Sequence, residues 1–438
     1  VDLTESTVER AARVRALLKQ CCRMCGPGPG HACEQKPEAP FEAVECPGRL
    51  DPVGPLEPGL QARLTRASGR PLTYTNRVRL LRDGADTFTA MLELIENADE
   101  EILLDNYIIR ADAVGRAYGE ALTRRARAGV DVRILHDPFG DLLSVLPLHM
   151  QFWRSPARLS VYNPPRPTLG YLRAWRDHRK LVVQDRARLV AGGLCVADVW
   201  LGNCVRQCTW RDSAVLVEGG AAAHAASEFD RLWRDGYALT WRRRPFRPPP
   251  SPPPSGAGEV PVRVLADEPG RRCTEEALLA AIGAARFEVL ITNQYAVPTR
   301  PITEALVAAS RRGIDVQLIL PPASRPFFVG FATEHRLGAL LGGGLSIWHW
   351  NGAMMHAKTV VVDRNWSLVG STNLDRLSLR RNAEMNIEIH GPRVGEQMAQ
   401  MFAADRATCT MFSLADWKAR SPLRQGMTRV MALADPLM

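Results

Sequence analysis

Arg127-Ala128-Gly129-Val130-Asp131-Val132-Arg133-Ile134-Leu135 is repeated in plan at Arg311-Arg312-Gly313-Ile314-Asp315-Val316-Gln317-Leu318-Ile319-Leu320. Basic residues close a helix, glycine stops it, and a β-branched run follows. That is the signature of a helix C′ glycine feeding a buried strand. Upstream, a helical run over Ala85–Ala98 leads into Ile102-Leu103-Leu104-Asp105-Asn106-Tyr107. In the later copy, a run over Glu275–Ala285 leads into Val289-Leu290-Ile291-Thr292-Asn293-Gln294-Tyr295. Helices alternating with short apolar strands predict an α/β fold, with each sheet covered on both faces. The internal repeat predicts two homologous halves that bury a face against one another.

Punctuation sets the boundaries. Trp241 is followed by Arg242-Arg243-Arg244, seven prolines between Pro245 and Pro254, and Ser255-Gly256-Ala257-Gly258. Such a run is a semi-rigid linker through which no core passes. The expected organisation is a partly irregular N-terminal extension over 1–70, a first domain over 71–243, a linker over 244–258, a second domain over 259–415, and an amphipathic tail over 416–438. Helical patterning at Val8–Leu18 is the one regular feature expected in the extension.

The chain has 438 residues, 46% apolar and 24% charged, with a net charge of +9. This composition excludes a disordered protein. No stretch approaches the ~18 uninterrupted apolar residues of a membrane-spanning helix. The chain begins at Val1, which leaves an upstream leader open. Only five of the 56 basic residues are lysines. The surplus favours polyanionic partners, or reflects arginine spread over solvated faces. Ten cysteines, five of them crowded at Cys21, Cys22, Cys25, Cys33 and Cys46, form no disulfide framework. A reducing compartment is the simpler reading. Those five with His31 match no standard zinc spacing.

Each half carries His-x-Lys followed, after four residues, by Asp: His178, Lys180 and Asp185 in one, His356, Lys358 and Asp363 in the other. On a strand, positions i and i+2 share a face, so each half presents an imidazole beside an ammonium. Asp185 and Asp363 end their strands, where a turn role and a catalytic role both remain open. Fifteen residues beyond the histidines stand Gly193 and Ser371, with Cys195 and Asn373 two further on. Asp212 and Glu384 then open new strands. A carboxylate near each histidine could fix its tautomer, or simply sit at a strand start.

Two His, two Lys and an Asn suit a phosphodiester. The ammonium groups and amide hold the non-bridging oxygens, one imidazole attacks phosphorus, and the other protonates the leaving alkoxide. The chemistry asks for no cofactor and no metal, because lysine supplies the positive charge.

The doubled His-x-Lys-x-x-x-x-Asp with Gly192-Gly193 or Gly370-Ser371 downstream resembles the phospholipase D superfamily, over nearly all of 77–413. Within it the chain is most similar to bacterial cardiolipin synthases, through His178–Asp198, Trp210-Arg211-Asp212, Tyr295-Ala296-Val297-Pro298 and Gly370-Ser371-Thr372-Asn373-Leu374-Asp375. The resemblance implies two phospholipase D-like α/β halves around one shared active site. It also implies a phosphatidyl transferase that passes a phosphatidyl group from phosphatidylglycerol to an alcohol through a phosphohistidine. His178 is then the nucleophile and His356 the general acid and base, an order the residues alone leave open. Catalytic roles fall on His178, Lys180, Asp185, His356, Lys358 and Asp363. Phosphate-binding or orienting roles fall on Gly193, Ser371, Asn373, Asp212 and Glu384. Cys195 departs from the asparagine usual in the family, and a thiol is the weaker hydrogen-bond partner.

The implied partner is an anionic phospholipid at a membrane surface, with no obligatory nucleic acid, at the cytoplasmic side of a bacterial inner membrane. The mixed apolar and basic residues of Phe412–Met438 could lie in an anionic interface or pack on the domain. Pro326–Phe331 could enter lipid or line a cleft. A hydrolase of phospholipid or nucleic acid would use the same histidines, although no interleaved aromatic and basic stripe marks a nuclease. A catalytically weak membrane-binding scaffold is the third reading, motivated by Cys195 and the long N-terminal extension.

Overall fold

In the computed structural model, which describes residues 58–141, 146–163, 175–201, 210–235, 237–238, 258–322 and 327–432, the two glycine stops have matching geometry. Gly129 has φ +99° and Gly313 φ +89°, a region that glycine enters without a Cβ clash. The next residue in each case donates its N–H five residues back, Val130 to the Arg125 carbonyl at 3.1 Å and Ile314 to Ala309 at 3.2 Å. These bonds satisfy a helix-end carbonyl and turn the chain into the following strand.

The chain forms two compact units, residues 73–260 on one hand and residues 58–72 with 261–432 on the other. Helix α1 (Pro58–Ser68) precedes the first unit in sequence and belongs to the second.

The first unit contains β1 (Thr73–Arg82), α2 (Asp83–Glu96), β2 (Glu101–Asn106), α3 (Ala113–Arg127), β3 (Asp131–His136), α4 (Pro138–Asp141), α5 (Leu146–Trp153) and β4 (Arg158–Val161). It continues with β5 (Lys180–Gln184), β6 (Arg188–Gly192), β7 (Ser213–Glu218), α6 (Gly220–Asp235) and β8 (Tyr237–Ala238). Its strand order is β1-β7-β6-β5-β2-β3-β4-β8. Strands β2, β3 and β4 run parallel and the hairpin strands antiparallel. On one face Ile102, Leu104, Ile134 and Val182 meet Phe88, Leu92, Tyr118, Leu122 and Phe152 in an apolar core. The α6 side of the sheet, also apolar for the most part, holds a buried ionic cluster. Buried Arg133 pairs with Asp230 at 2.6 Å and with Glu101, and Arg186 pairs with Asp230 at 2.7 Å.

The second unit contains β9 (Val260–Asp267), α7 (Cys273–Ala284), β10 (Glu288–Thr292), α8 (Arg300–Arg311), β11 (Asp315–Leu320), α9 (Phe327–Gly342), β12 (Ser346–Trp350), β13 (Thr359–Val362) and β14 (Trp366–Gly370). After these come α10 (Arg376–Arg380), β15 (Glu384–His390), α11 (Pro392–Arg406), β16 (Cys409–Phe412), α12 (Leu414–Lys418) and α13 (Pro422–Ala432). Its strand order, β9-β15-β14-β13-β10-β11-β12-β16, repeats that of the first unit strand for strand.

One expectation changes, and one of the two readings of the tail is selected. Residues 58–68 are not part of an irregular appendage. Leu64 is buried in the second unit's core, and Arg271 and the Cys273 thiol bond the carbonyls of Ser68 and Ala67. The apolar face of α1 is short and its anchor lies two hundred residues downstream, so local patterning could not place it. In the tail, α12 and α13 lie on α9. Glu334 pairs with Arg420 at 2.9 Å and with Arg424, and Trp417 Nε1 donates to the Glu334 carbonyl at 2.7 Å. Residues 414–432 are thus docked on their own unit.

The N-terminal cysteines, His31 and the helical run at Val8–Leu18 lie outside the described residues. So do Cys204, Cys208, Arg242–Arg244, nearly all of the 244–258 linker, Pro326 and residues 433–438. Phe327–Phe331 begin α9.

Candidate active site

The histidines stand just ahead of the central hairpin strands, two residues before β5 and three before β13. In the first unit Lys180 is buried, and its Nζ donates to the His178 carbonyl. The Tyr107 ring lies edge-on to the His178 imidazole, centroids 5.1 Å apart, and 5.3 Å from the Lys180 ammonium. In the second unit Lys358 Nζ donates to the His356 carbonyl, approaches His356 Nδ1 at 3.1 Å, and reaches Gln294 Oε1 at 3.4 Å. An ammonium only donates, so Nδ1 is the acceptor and the remaining ring proton sits on Nε2.

One asparagine brackets each site. Asn106 accepts from the Val196 N–H at 3.4 Å and donates to the Leu194 carbonyl at 3.5 Å. Asn293 accepts from Leu374 at 3.1 Å and donates to Thr372 at 3.4 Å. These side chains tie the strand carrying Tyr107 or Gln294 to the loop after β6 or β14. The repeat of Asn after each apolar strand was the signal that could have found them.

Ser371 and Glu384 meet, the Ser371 hydroxyl donating to the carboxylate and accepting from the Met385 N–H at 3.0 Å. In the first unit Gly193 replaces the serine, and a Cβ there would lie 2.2 Å from Asp212 Oδ1. Asp212 instead accepts from Trp200 Nε1 at 2.9 Å and the Ser213 N–H at 2.8 Å. Asn373 is buried, with an Oδ1 that has no hydrogen-bond partner among the described residues. Cys195, at the matching place, belongs to the apolar core of its unit. The thiol therefore acts as a packing group, and an amide there would bring a polar group into that core.

Asp185 and Asp363 stand elsewhere. Five residues of extended strand at ~3.3 Å each put them roughly 16 Å from their lysines. Both have φ near +50°, as do Arg186 and Arg364 after them. The Asp185 carboxylate accepts the N–H groups of Asp99, Glu100 and Glu101 at 3.0, 2.8 and 2.7 Å. Asp363 accepts those of Arg286, Phe287 and Glu288 at 2.9, 2.8 and 3.0 Å. The following arginines pair with Glu101 and Asp230, or with Glu288 and Glu396. These interactions hold two non-glycine residues in the left-handed region, which otherwise costs about 1–2 kcal/mol each. The motif's aspartate organises a turn at the far end of the hairpin, and the catalytic reading of these two residues gives way to a structural one.

Behind His178 lies a buried group with no counterpart in the second unit. Asp177, Arg179 and Asp105 are buried where Met355, Ala357 and Thr292 stand in the other half. Burial, against the pull of Arg179, pushes the Asp105 carboxyl up to about 6, and burial with the Asp105 charge pushes Asp177 well up. The Asp137 carboxylate accepts the Asp177 N–H at 2.9 Å and so braces the residue before His178. His136 and His149 meet Nε2 to Nε2 at 2.8 Å. Burial, with the His149 charge, takes His136 down to about 3. None of this had a signal in the sequence, because its partners come from separate elements.

His136 stays neutral in the folded chain while the unfolded chain protonates below about 6.5. The stability it contributes is present above that pH and is lost as pH falls toward 3. Replacing it by Gln should make the stability gap between wild type and His136→Gln about 2 kcal/mol smaller at pH 5 than at pH 7.5. Urea denaturation at the two pH values measures this, and an unchanged gap contradicts it.

Among the described residues no group of three or more His, Cys, Asp or Glu side chains is placed to hold a metal ion. A profile of the family described as Cardiolipin synthase, PLD-like domain, matches residues 278–406. The major cardiolipin synthase of Bacillus subtilis is 28% identical over 354 residues, covering 80% of this chain and 72% of that protein. A cardiolipin synthase of Staphylococcus aureus is 26% identical, covering 82% and 74%. The chain is thus similar to cardiolipin synthases over most of its length, with the PLD-like domain match confined to the second unit. A phosphatidylserine synthase structure from Haemophilus influenzae, 16% identical, superposes with a TM-score of 0.64 over 86% of this chain and 98% of that one, so the likeness in fold takes in residues of both units. No described helix is long and apolar enough to cross a membrane.

Proposed function

We propose that this chain is a phosphatidyl transferase of the cardiolipin synthase type, acting on phosphatidylglycerol as a peripheral protein at the cytoplasmic face of a bacterial inner membrane. The observation that carries the reading is the doubled His–Lys pair, each lysine tied to the carbonyl of its own histidine, in relatives' company that names this activity.

His178 attacks the phosphorus of the donor, and the bond to the glycerol oxygen breaks. His356 gives that oxygen its proton, and free glycerol leaves. His356, now the base, takes a proton from the hydroxyl of an acceptor alcohol. The new oxygen–phosphorus bond forms as the phosphorus–His178 bond breaks. With a second phosphatidylglycerol as acceptor the products are cardiolipin and glycerol. For the first step His356 carries a second ring proton, as the imidazolium, and giving one to the glycerol oxygen leaves the neutral ring that then acts as base. Lys180, Lys358 and Asn373 hold the non-bridging oxygens and stabilise the charge of the five-coordinate transition state. Ser371 with Glu384, and Asp212 behind Gly193, shape the loops that frame the site.

Purified protein incubated with phosphatidylglycerol should yield diphosphatidyl product and glycerol, and added glycerol should drive the reaction backward. Phosphatidic acid as sole product would mark a hydrolase, and cleavage of single-stranded DNA would mark a nuclease.

A further inference from the structure

Four of the eight large apolar side chains exposed among the described residues fall within fifteen positions: Phe139, Leu146, Met150 and Trp153. Leu146, Met150 and Trp153 follow the i, i+4, i+7 spacing that aligns residues on one helix face. The opposite face of α5 is seated. Leu148 and Phe152 are in the core, His149 meets His136, and Gly119 leaves the room that Leu148 and Gln151 occupy. The helix is thus held firmly while its outer apolar face stays open.

Arginine stands beside this face. Arg154 is exposed beside Trp153, and the Arg176 guanidinium lies 3.8 Å from the Phe139 ring centroid. Arg176 also approaches Asp137 at 3.7 Å, whose carboxylate braces the residue before His178. The open face therefore lies at the end of the sheet where His178 stands.

We infer that α4 and α5 form the surface by which this chain docks on a bilayer containing anionic phospholipid. Leu146, Met150, Trp153 and Phe139 enter the headgroup boundary, and Arg154 meets lipid phosphates. A tryptophan beside arginine suits that boundary, where an aromatic ring is buried and a cation stays at headgroup level. Docking there brings lipid to the mouth of the His178 site, and this consequence rests on the phospholipid reading above.

The test compares the full-length wild type with the triple variant Leu146→Ser, Met150→Ser, Trp153→Ser. Flotation is measured with phosphatidylcholine vesicles and with vesicles that also contain phosphatidylglycerol. Turnover is measured on the mixed vesicles and on monomeric short-chain phosphatidylglycerol. Wild type should float with the anionic vesicles, and the variant should bind them about a hundred-fold more weakly. The variant should keep its turnover on the monomeric lipid. Equal flotation of the two proteins, or wild-type flotation indifferent to phosphatidylglycerol, overturns the inference. Equal loss of turnover on both substrates also overturns it, since the face would then serve the site itself. Self-association that the triple variant abolishes, with no flotation of wild type, assigns the face to a second copy instead. A wild type that floats through this face yet turns over no phospholipid upholds the docking surface and sinks the transferase reading alone.

Discussion

His178→Ala and His356→Ala should each lower phosphatidyl transfer by about a thousand-fold or more, with folding intact. The two losses differ in kind. Without His178 no covalent bond to phosphorus forms, so both halves of the reaction stop. Without His356 the attack can still occur on a donor whose leaving group needs no proton. A phosphatidyl ester of p-nitrophenol should therefore release nitrophenolate with His356→Ala far faster than phosphatidylglycerol releases glycerol. His178→Ala should show no such rescue. His178 is half-buried and His356 is buried, so thermal unfolding of each variant accompanies the activity measurement. Appreciable transfer by either variant on phosphatidylglycerol would mean that the assigned pair is wrong.

Asp363→Ala should do the opposite, costing stability by about 3–4 kcal/mol while leaving the kcat of the folded protein within about three-fold of wild type. Its carboxylate is the acceptor for three consecutive N–H groups, and it is buried. Alanine would strand those donors and keep a φ of +50° that its side chain disfavours. Asp185→Ala should cost less, about 1–2 kcal/mol, because the N–H groups of Asp99 and Glu100 are exposed and water can replace the carboxylate. Thermal unfolding and turnover well below the midpoint separate the two effects. A folded Asp363→Ala protein that loses a hundred-fold in kcat would restore the aspartate to the chemistry.

The contrast between these two sets of residues shows what a sequence of this kind reveals. Helix stops at Gly129 and Gly313, and the His-x-Lys spacing on a strand, are local patterns with one physical solution, so they are legible. The second copy multiplies the information, which is why the α/β alternation and both His–Lys pairs could be read. The motif's aspartate was equally visible, but its spacing carries no sign of what it binds. Four strand residues separate it from the lysine, and only the fold places the N–H groups of the preceding loop against it. Cys195 looked like a weakened phosphate ligand by analogy with Asn373, whereas its surroundings are apolar. The Asp105, Asp177 and Arg179 group and the His136–His149 contact were illegible for a simpler reason. They break the repeat, and each joins residues from separate elements.

The proposed function requires both imidazoles, His178 and His356, in a single phosphoryl transfer. The direct measurement is to quench the enzyme during turnover of phosphatidylglycerol and locate any phosphatidyl adduct by peptide mass spectrometry. The expected result is one adduct per chain, confined to His178, which accumulates in His356→Ala with the nitrophenyl donor. Turnover with no adduct on either histidine, or adducts on both with each single variant still active, would contradict it.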